Sequence, residues 1–344
     1  MYKRFIVIVV SLLVTASAWA QKNKLNVFIW SEYIDPKIID QFSKEYDCKV
    51  TVDLYEDNES MMAKLEGGGD SLYDICVPSD YIIPALIKNG LLAPLRKENI
   101  PNMKNLDPKF ANREYDPGNK YTAPYQWGTV GLFVRKKAGE TIDETWGLVF
   151  DAKKQIGSFL IIDDARAAIG AALKYKGYSL NCTDKKQLKE ARDVLIDAKK
   201  RSLGFEGGVG IKNKVLAKVC RIGMVYNGDA VRGMKEDPET YYFVPREGSE
   251  IWLDNMAVPA KAPNRDMAEK FINYILDAKI GAQLSNFNQY ATPNEAALEF
   301  ISPADLKNPA IYPPPDVMKT LEFVKDLGAK TGWYDELWTG IKSK

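Results

Sequence analysis

Histidine is absent from all 344 residues of this chain. With it go the commonest general base near neutral pH, the Ser-His-Asp and Cys-His arrangements, and most zinc sites. Cysteine is scarce. Cys48, Cys76, Cys182 and Cys220 are too few to staple so long a chain, and no C-x-x-C spacing offers a redox or zinc motif. Cys48 and Cys76 adjoin or lie within apolar runs and read as buried thiols. A phosphate-cradling loop is also missing: Gly67-Gly68-Gly69 lacks the lysine and hydroxyl of a P-loop and reads as a helix stop. Neither sign of charge dominates, since 47 Lys and Arg face 46 Asp and Glu. That balance argues against a nucleic-acid partner, which demands a strongly basic surface. A small cation needs only a few local acids and is not excluded.

Long apolar runs are confined to the start. Lys3-Arg4 precede an apolar stretch from Phe5 to Val14 broken only by Ser11, and Ala18-Trp19-Ala20 supplies small residues for cleavage. Residues 1–20 therefore read as a secretory signal peptide, too short for a comfortable membrane span. Gln21 rather than cysteine follows the cut, so lipidation there is unsupported, and the mature chain is expected to be exported and soluble. Loss of Lys3 and Arg4 turns the formal charge from +1 to −1. The remaining length favours two lobes over one core.

What the chain does have is four clusters pairing aromatics with carboxylates or hydroxyls, most of them at the ends of β-like runs: Trp30-Ser31-Glu32-Tyr33, Ser79-Asp80-Tyr81, Tyr226-Asn227-Gly228-Asp229 and Trp252-Leu253-Asp254. Rings hold the methylenes and charge of an organic cation while acids accept its N–H donors. Leu25–Trp30 and Lys49–Tyr55 read as strands around a helix that Asp35-Pro36 opens, and Tyr73–Pro78 as a third strand. Such alternation predicts a mostly parallel α/β sheet, in which ligands bind beyond the carboxyl ends of strands. Further on, strands are expected at 131–134, 159–162 and 221–226, helices at 165–176 and 187–200, and one long helix over 266–286.

Each cluster also has a plainer explanation. Trp30 and Trp252 can be core, and Asp163 or Asp164 caps the helix that follows. Ser79-Asp80 taken alone favours a cap, and Asp229 after Asn227-Gly228 fits turn chemistry. Paired carboxylates also serve exported glycoside hydrolases, so an enzyme stands as an alternative to a binding module. A third reading is capture of another organic cation or an amino acid.

The residues from Leu25 to the C-terminus resemble the periplasmic spermidine/putrescine-binding proteins of bacterial uptake transporters. Trp30-Ser31-Glu32-Tyr33, Tyr55-Glu56-Asp57-Asn58-Glu59, Tyr73–Ser79, Pro124-Tyr125-Gln126-Trp127-Gly128, Asp163-Asp164-Ala165-Arg166 and Tyr290-Ala291-Thr292-Pro293-Asn294 carry the likeness together. The resemblance implies a periplasmic-binding-protein-like α/β fold with two lobes, each around a central mostly parallel sheet, and a hinge of crossing strands. Lobe one would be 24–128 plus 254–300, and lobe two 129–253 plus 301–344. It implies no enzyme activity and no cofactor or metal, a monomer, a polyamine ligand, and the membrane permease of an ABC transporter as partner. The ligand-binding residues it implies are Trp30, Ser31, Glu32, Tyr33, Ser79, Tyr81, Asp164, Tyr226, Asp229, Trp252, Asp254 and Tyr290. Asp254 would recognise the amine. Ala167 and Val324 stand where the family commonly has glutamate and glutamine, and Asp229 is expected to make up for the lost glutamate.

Overall fold

The computed structural model describes residues 23–344; the leader expected at 1–20 lies outside them. Ten strands are numbered in chain order: β1 Asn23–Trp30, β2 Cys48–Tyr55, β3 Ile75–Cys76, β4 Thr122–Arg135, β5 Phe159–Ile162, β6 Phe205–Glu206, β7 Ile222–Tyr226, β8 Thr240–Phe243, β9 Glu250–Ala257 and β10 Glu322–Phe323. They run in the order β2-β1-β3-β9-β4-β7-β5-β6, with β10 beside β9 and β8 beside β4. The fold is that of a periplasmic binding protein. One lobe is built on β1, parallel to both β2 and β3, and the other on β5, parallel to both β6 and β7.

β4 and β9 join the lobes. They pair antiparallel from Thr122↔Ala257 to Thr129↔Ile251, after which β4 continues against β7 and β8 in the second lobe. All eight residues of β9 are buried, as are all but the last of β4.

The sequence patterns succeed where hydrophobicity is unambiguous. β1 is buried on both faces: Leu25, Val27 and Ile29 enter the large core, while Phe28 stacks on Tyr73 in a smaller one. The Asp35 side chain caps helix Pro36–Glu45. The expected strand at 73–78 shrinks to Ile75–Cys76, because the Val77 carbonyl accepts from the Trp30 indole and the Tyr55 hydroxyl instead of a neighbouring strand. The strand expected at 131–134 begins nine residues earlier, at Thr122. Pro124, Gly128 and Gly131 disguise it, since proline and glycine are poor strand formers. Pro124 lies at a register shift, and the two glycines sit where neighbouring side chains press on the strand. The long helix expected over 266–286 is two helices, Arg265–Ile275 and Ala278–Asn288. Asp277 caps the second through Lys279 and Ile280 N–H, while Asn105 and Asn294 donate to the Leu276 carbonyl that the break exposes.

Gly128 marks the crossing. A Cβ there would collide with Asn227 Oδ1 and the Trp252 ring. Asn227 cannot move aside, because it accepts from Thr129 N–H at 3.0 Å and donates to the Ala310 carbonyl at 2.8 Å. Gly128→Ala is expected to lower stability by about 1–3 kcal/mol through overpacking. Urea unfolding measures it, and an unchanged midpoint would contradict the packing described.

Candidate functional site

The ends of β1, β5 and β7, the first five residues of β9 and the loop after β3 converge on one cavity. Of the residues expected to bind, Trp30, Ser31, Tyr33, Ser79, Tyr81, Asp164, Tyr226, Asp229, Trp252, Asp254 and Tyr290 all line it. Glu32 does not; it is turned elsewhere, as described below. Val324 lines a neighbouring pocket, and Ala167 packs in the core.

Rings form the wall. Trp252 meets Tyr290, Tyr226 and Tyr33 edge-on, with centroids 5.1, 5.9 and 6.5 Å away. Tyr33 is itself set by Tyr125 and Tyr290, at 5.2 and 5.4 Å. Gly228 makes this possible, since a Cβ there would run into the Tyr290 ring. Trp30 is fixed by its indole N–H, which donates to the Val77 carbonyl at 2.9 Å. The indole N–H of Trp252 has no hydrogen-bond partner among the described residues.

Asp254 sits among these rings, 6 % exposed. Both its oxygens are held by neutral donors: Ser79 donates to Oδ1 at 2.6 Å and Tyr33 to Oδ2 at 2.8 Å. The Ser79 hydroxyl therefore serves the acid rather than capping the turn after it, where it makes no side-chain bond. Burial pushes the Asp254 carboxyl up to about 7, with Asp164 adding to the rise and the two hydroxyls opposing it. Asp164 does two jobs. Its Oδ1 caps helix Ala165–Tyr175 through Ala167 N–H at 2.8 Å, while Oδ2 accepts from Tyr226 at 3.1 Å. Its neighbour Asp163 pairs with Lys342. Tyr81 donates to Glu59, whose carboxyl burial and Asp164 raise to about 7.

A second set of charged groups pairs within itself. Arg232 bridges Asp229 at 2.6 Å and Glu32 at 2.9 Å, Lys212 reaches Glu32 at 3.3 Å, and Arg232 also donates to the Asn288 carbonyl. Burial would raise the Glu32 carboxyl, but Lys212 and Arg232 outweigh it and hold it low. Asp229 thus already has its own cation. This clasp links the turn after β1 to helices Gly208–Leu216 and Asn227–Glu236 across the cleft.

Sequence reasoning missed Glu250, Glu56, Asn58 and the Gly207-Gly208-Val209 turn, all of which line the cavity. Glu250 was findable: side chains two and four residues apart on a strand share a face, so Glu250 belongs with Trp252 and Asp254. Asn58 was hidden because its value is positional; it accepts from Ser79 N–H and donates to Tyr81. All four cysteines are buried free thiols. Among the described residues no cluster of His, Cys, Asp or Glu is arranged to hold a metal, and no helix is long and apolar enough to cross a membrane.

Comparison with known proteins gives this arrangement relatives. The profile of the family "Bacterial extracellular solute-binding protein" matches residues 37–314. The spermidine/putrescine-binding periplasmic protein of Escherichia coli K12 is 33% identical over 325 residues, covering 93% of this chain and 92% of that one. The putrescine-binding periplasmic protein SpuD of Pseudomonas aeruginosa is 34% identical over 352 residues, covering 96% and 95%. The crystal structure of the spermidine/putrescine ABC transporter substrate-binding protein PotD from Streptococcus pneumoniae superposes with a TM-score of 0.79 at 33% identity, covering 93% of this chain and 99% of that one.

A buried acid without a cation makes the ligand-free chain sensitive to pH. The groups facing Asp254 are Tyr33, Ser79, Asp80, Asp164 and Glu250, none of them basic. Its folded carboxyl titrates near 7 against an ordinary value of 3.8, so its contribution to stability is whole below about 4 and is lost as pH climbs through 7. Asp254→Asn removes that loss. Melting scans should show the variant gaining on wild type between pH 5 and pH 8; a gap independent of pH would contradict the raised titration.

Proposed function

Because the chain belongs to the bacterial extracellular solute-binding protein family, we propose that it captures a polyamine, putrescine or spermidine, in the cleft between its lobes and delivers it to the membrane permease of an ABC transporter. The observation that carries this reading is Asp254, buried, held only by hydroxyls and walled by aromatic rings. An ammonium group is the partner that such a carboxylate lacks, and the faces of Trp252, Tyr226 and Tyr290 suit the methylenes attached to it. Relatives named as polyamine-binding proteins align over nearly the whole chain, which supports the same ligand class here.

The reading includes export to the periplasm through the leader at 1–20 and action as a monomer. Closure turns on β4 and β9, near the proposed lobe boundaries at 128/129 and 253/254. Expelling water as the lobes close strengthens each ion pair, because the local dielectric falls. Capture needs no bond-making group, so the proposal assigns no catalytic residue.

A thermal-shift panel of putrescine, spermidine, spermine, simple amines and amino acids tests the proposal. A ligand that binds only the folded state raises its midpoint by mass action. Polyamines are expected to move the midpoint; a shift with amino acids and none with any polyamine would replace the ligand class.

Asp254→Ala should be the most damaging single change, costing roughly 2–5 kcal/mol of binding. Calorimetry measures it, and wild-type affinity in the variant would remove Asp254 from the role assigned. The same titration sets a pH dependence. An ammonium binds the ionised carboxylate, so below about 7 a proton must leave Asp254 first. Affinity should then weaken by up to about tenfold per pH unit for each proton displaced; equal affinities at pH 5.5 and 8 would count against this linkage.

A further inference from the structure

We propose that Glu250 is a ligand-contacting residue that forms, together with Asp164, a second ammonium subsite in the cleft, so that the cleft selects cations carrying at least two ammonium groups. The inference rests on the polyamine reading and extends it to a further acid of β9.

Glu250 begins β9, and the two-residue repeat of the strand puts it on the face that carries Trp252 and Asp254. All three line the cavity, together with Asp164. Glu250 is 9 % exposed, and its Oε2 has no hydrogen-bond partner among the described residues. Buried carboxylate oxygens are otherwise almost always paired, because leaving one unmatched costs the full desolvation of the group. No structural duty explains the residue. β9 pairs with β4 and β10 through backbone bonds that any side chain allows. A buried acid there weakens the ligand-free fold.

The surroundings are acidic. Asp164, Asp80 and Asp254 raise the Glu250 carboxyl further after burial has done so, and Arg166 offsets them only in part. The terminal nitrogens of Arg166 are engaged elsewhere, donating to the Lys325 carbonyl and to Asn181, while its buried Nε has no hydrogen-bond partner among the described residues. Asp164 in turn has a helix N–H and one tyrosine hydroxyl as partners. Two neighbouring carboxylates with neutral partners and one open oxygen suit the several N–H donors of an ammonium group. Asp229 and Glu32 differ in already being paired, Asp229 with Arg232 and Glu32 with Arg232 and Lys212.

The test compares a diamine with a monoamine of the same chain length. Titration calorimetry of putrescine and of n-butylamine against wild type gives a ratio of affinities, and Glu250→Gln is measured alongside. Loss of a hydrogen bond to a charged group is expected to weaken putrescine roughly tenfold or more and leave butylamine nearly unchanged, so the ratio narrows. The variant should also release fewer protons on binding putrescine, read from titrations in two buffers of different ionisation enthalpy. A narrowed ratio with fewer protons released supports the subsite. An unchanged ratio in a variant that still binds putrescine would overturn the role of Glu250 while leaving the polyamine reading intact. Failure of wild type to bind either amine, or any longer polyamine, would overturn that reading itself. If Glu250→Gln does not fold, Glu250→Ile, which places a strand-forming apolar side chain there, enters the same comparison.

Discussion

An ionised group sealed from water without an opposite charge is among the most costly features a folded chain can carry, and Asp254 is such a group. Its two hydrogen bonds come from hydroxyls, which orient the carboxylate without cancelling its charge. Asp80, Asp164 and Glu250 deepen the deficit, because each raises the proton affinity of another. The ligand-free protein meets the cost by holding protons near neutrality. A cation entering the cleft supplies what the protons supplied and adds directed hydrogen bonds, so the instability of the empty site becomes affinity in the filled one. Much else in the cleft follows. Ser79 and Tyr33 fix the acid, and Tyr290, Tyr226 and Tyr33 fix the ring of Trp252.

The same strands serve as frame and as site. β9 carries Glu250, Trp252 and Asp254 on its cleft face, and β4 opposite it is where the chain passes from one lobe to the other. Glycine sets the fit at two places. Gly128 lets Asn227 and Trp252 approach β4, and Gly228 lets the Tyr290 ring lie over the start of helix Asn227–Glu236. A side chain at either point would shift a wall of the cavity, so the binding geometry is tied to the packing of the hinge.

Most of the fold was legible because its strands are strongly apolar and its helices openly capped, as at Asp35 and Asp164. β4 was legible only in part. Its proline and glycines contradict local strand preference and make sense only against the neighbours that require them. The break at Asp277 was hidden for a similar reason, since an apolar repeat runs through it and only Asn105 and Asn294, distant in sequence, stabilise the exposed carbonyl. In the site, aromatic and acidic residues at strand ends could be picked out because such pairings are uncommon. What sequence could not convey was which acids are already paired. Asp229 and Asp254 look alike as letters, yet one meets Arg232 one helical turn on and the other meets no base.

That difference divides the charged groups of the cleft into two sets. Glu32, Asp229, Arg232 and Lys212 form a closed one, two acids with two bases. In the other set, Asp254, Asp164 and Glu250 have, among the described residues, no base beyond the partial influence of Arg166. Arg232 and Lys212 would repel an ammonium that the unpaired acids would attract, and repulsion serves discrimination as attraction does. On the proposed reading, a cation with a charge at each end would meet Asp254 and the Asp164–Glu250 pair, all of which line the cleft.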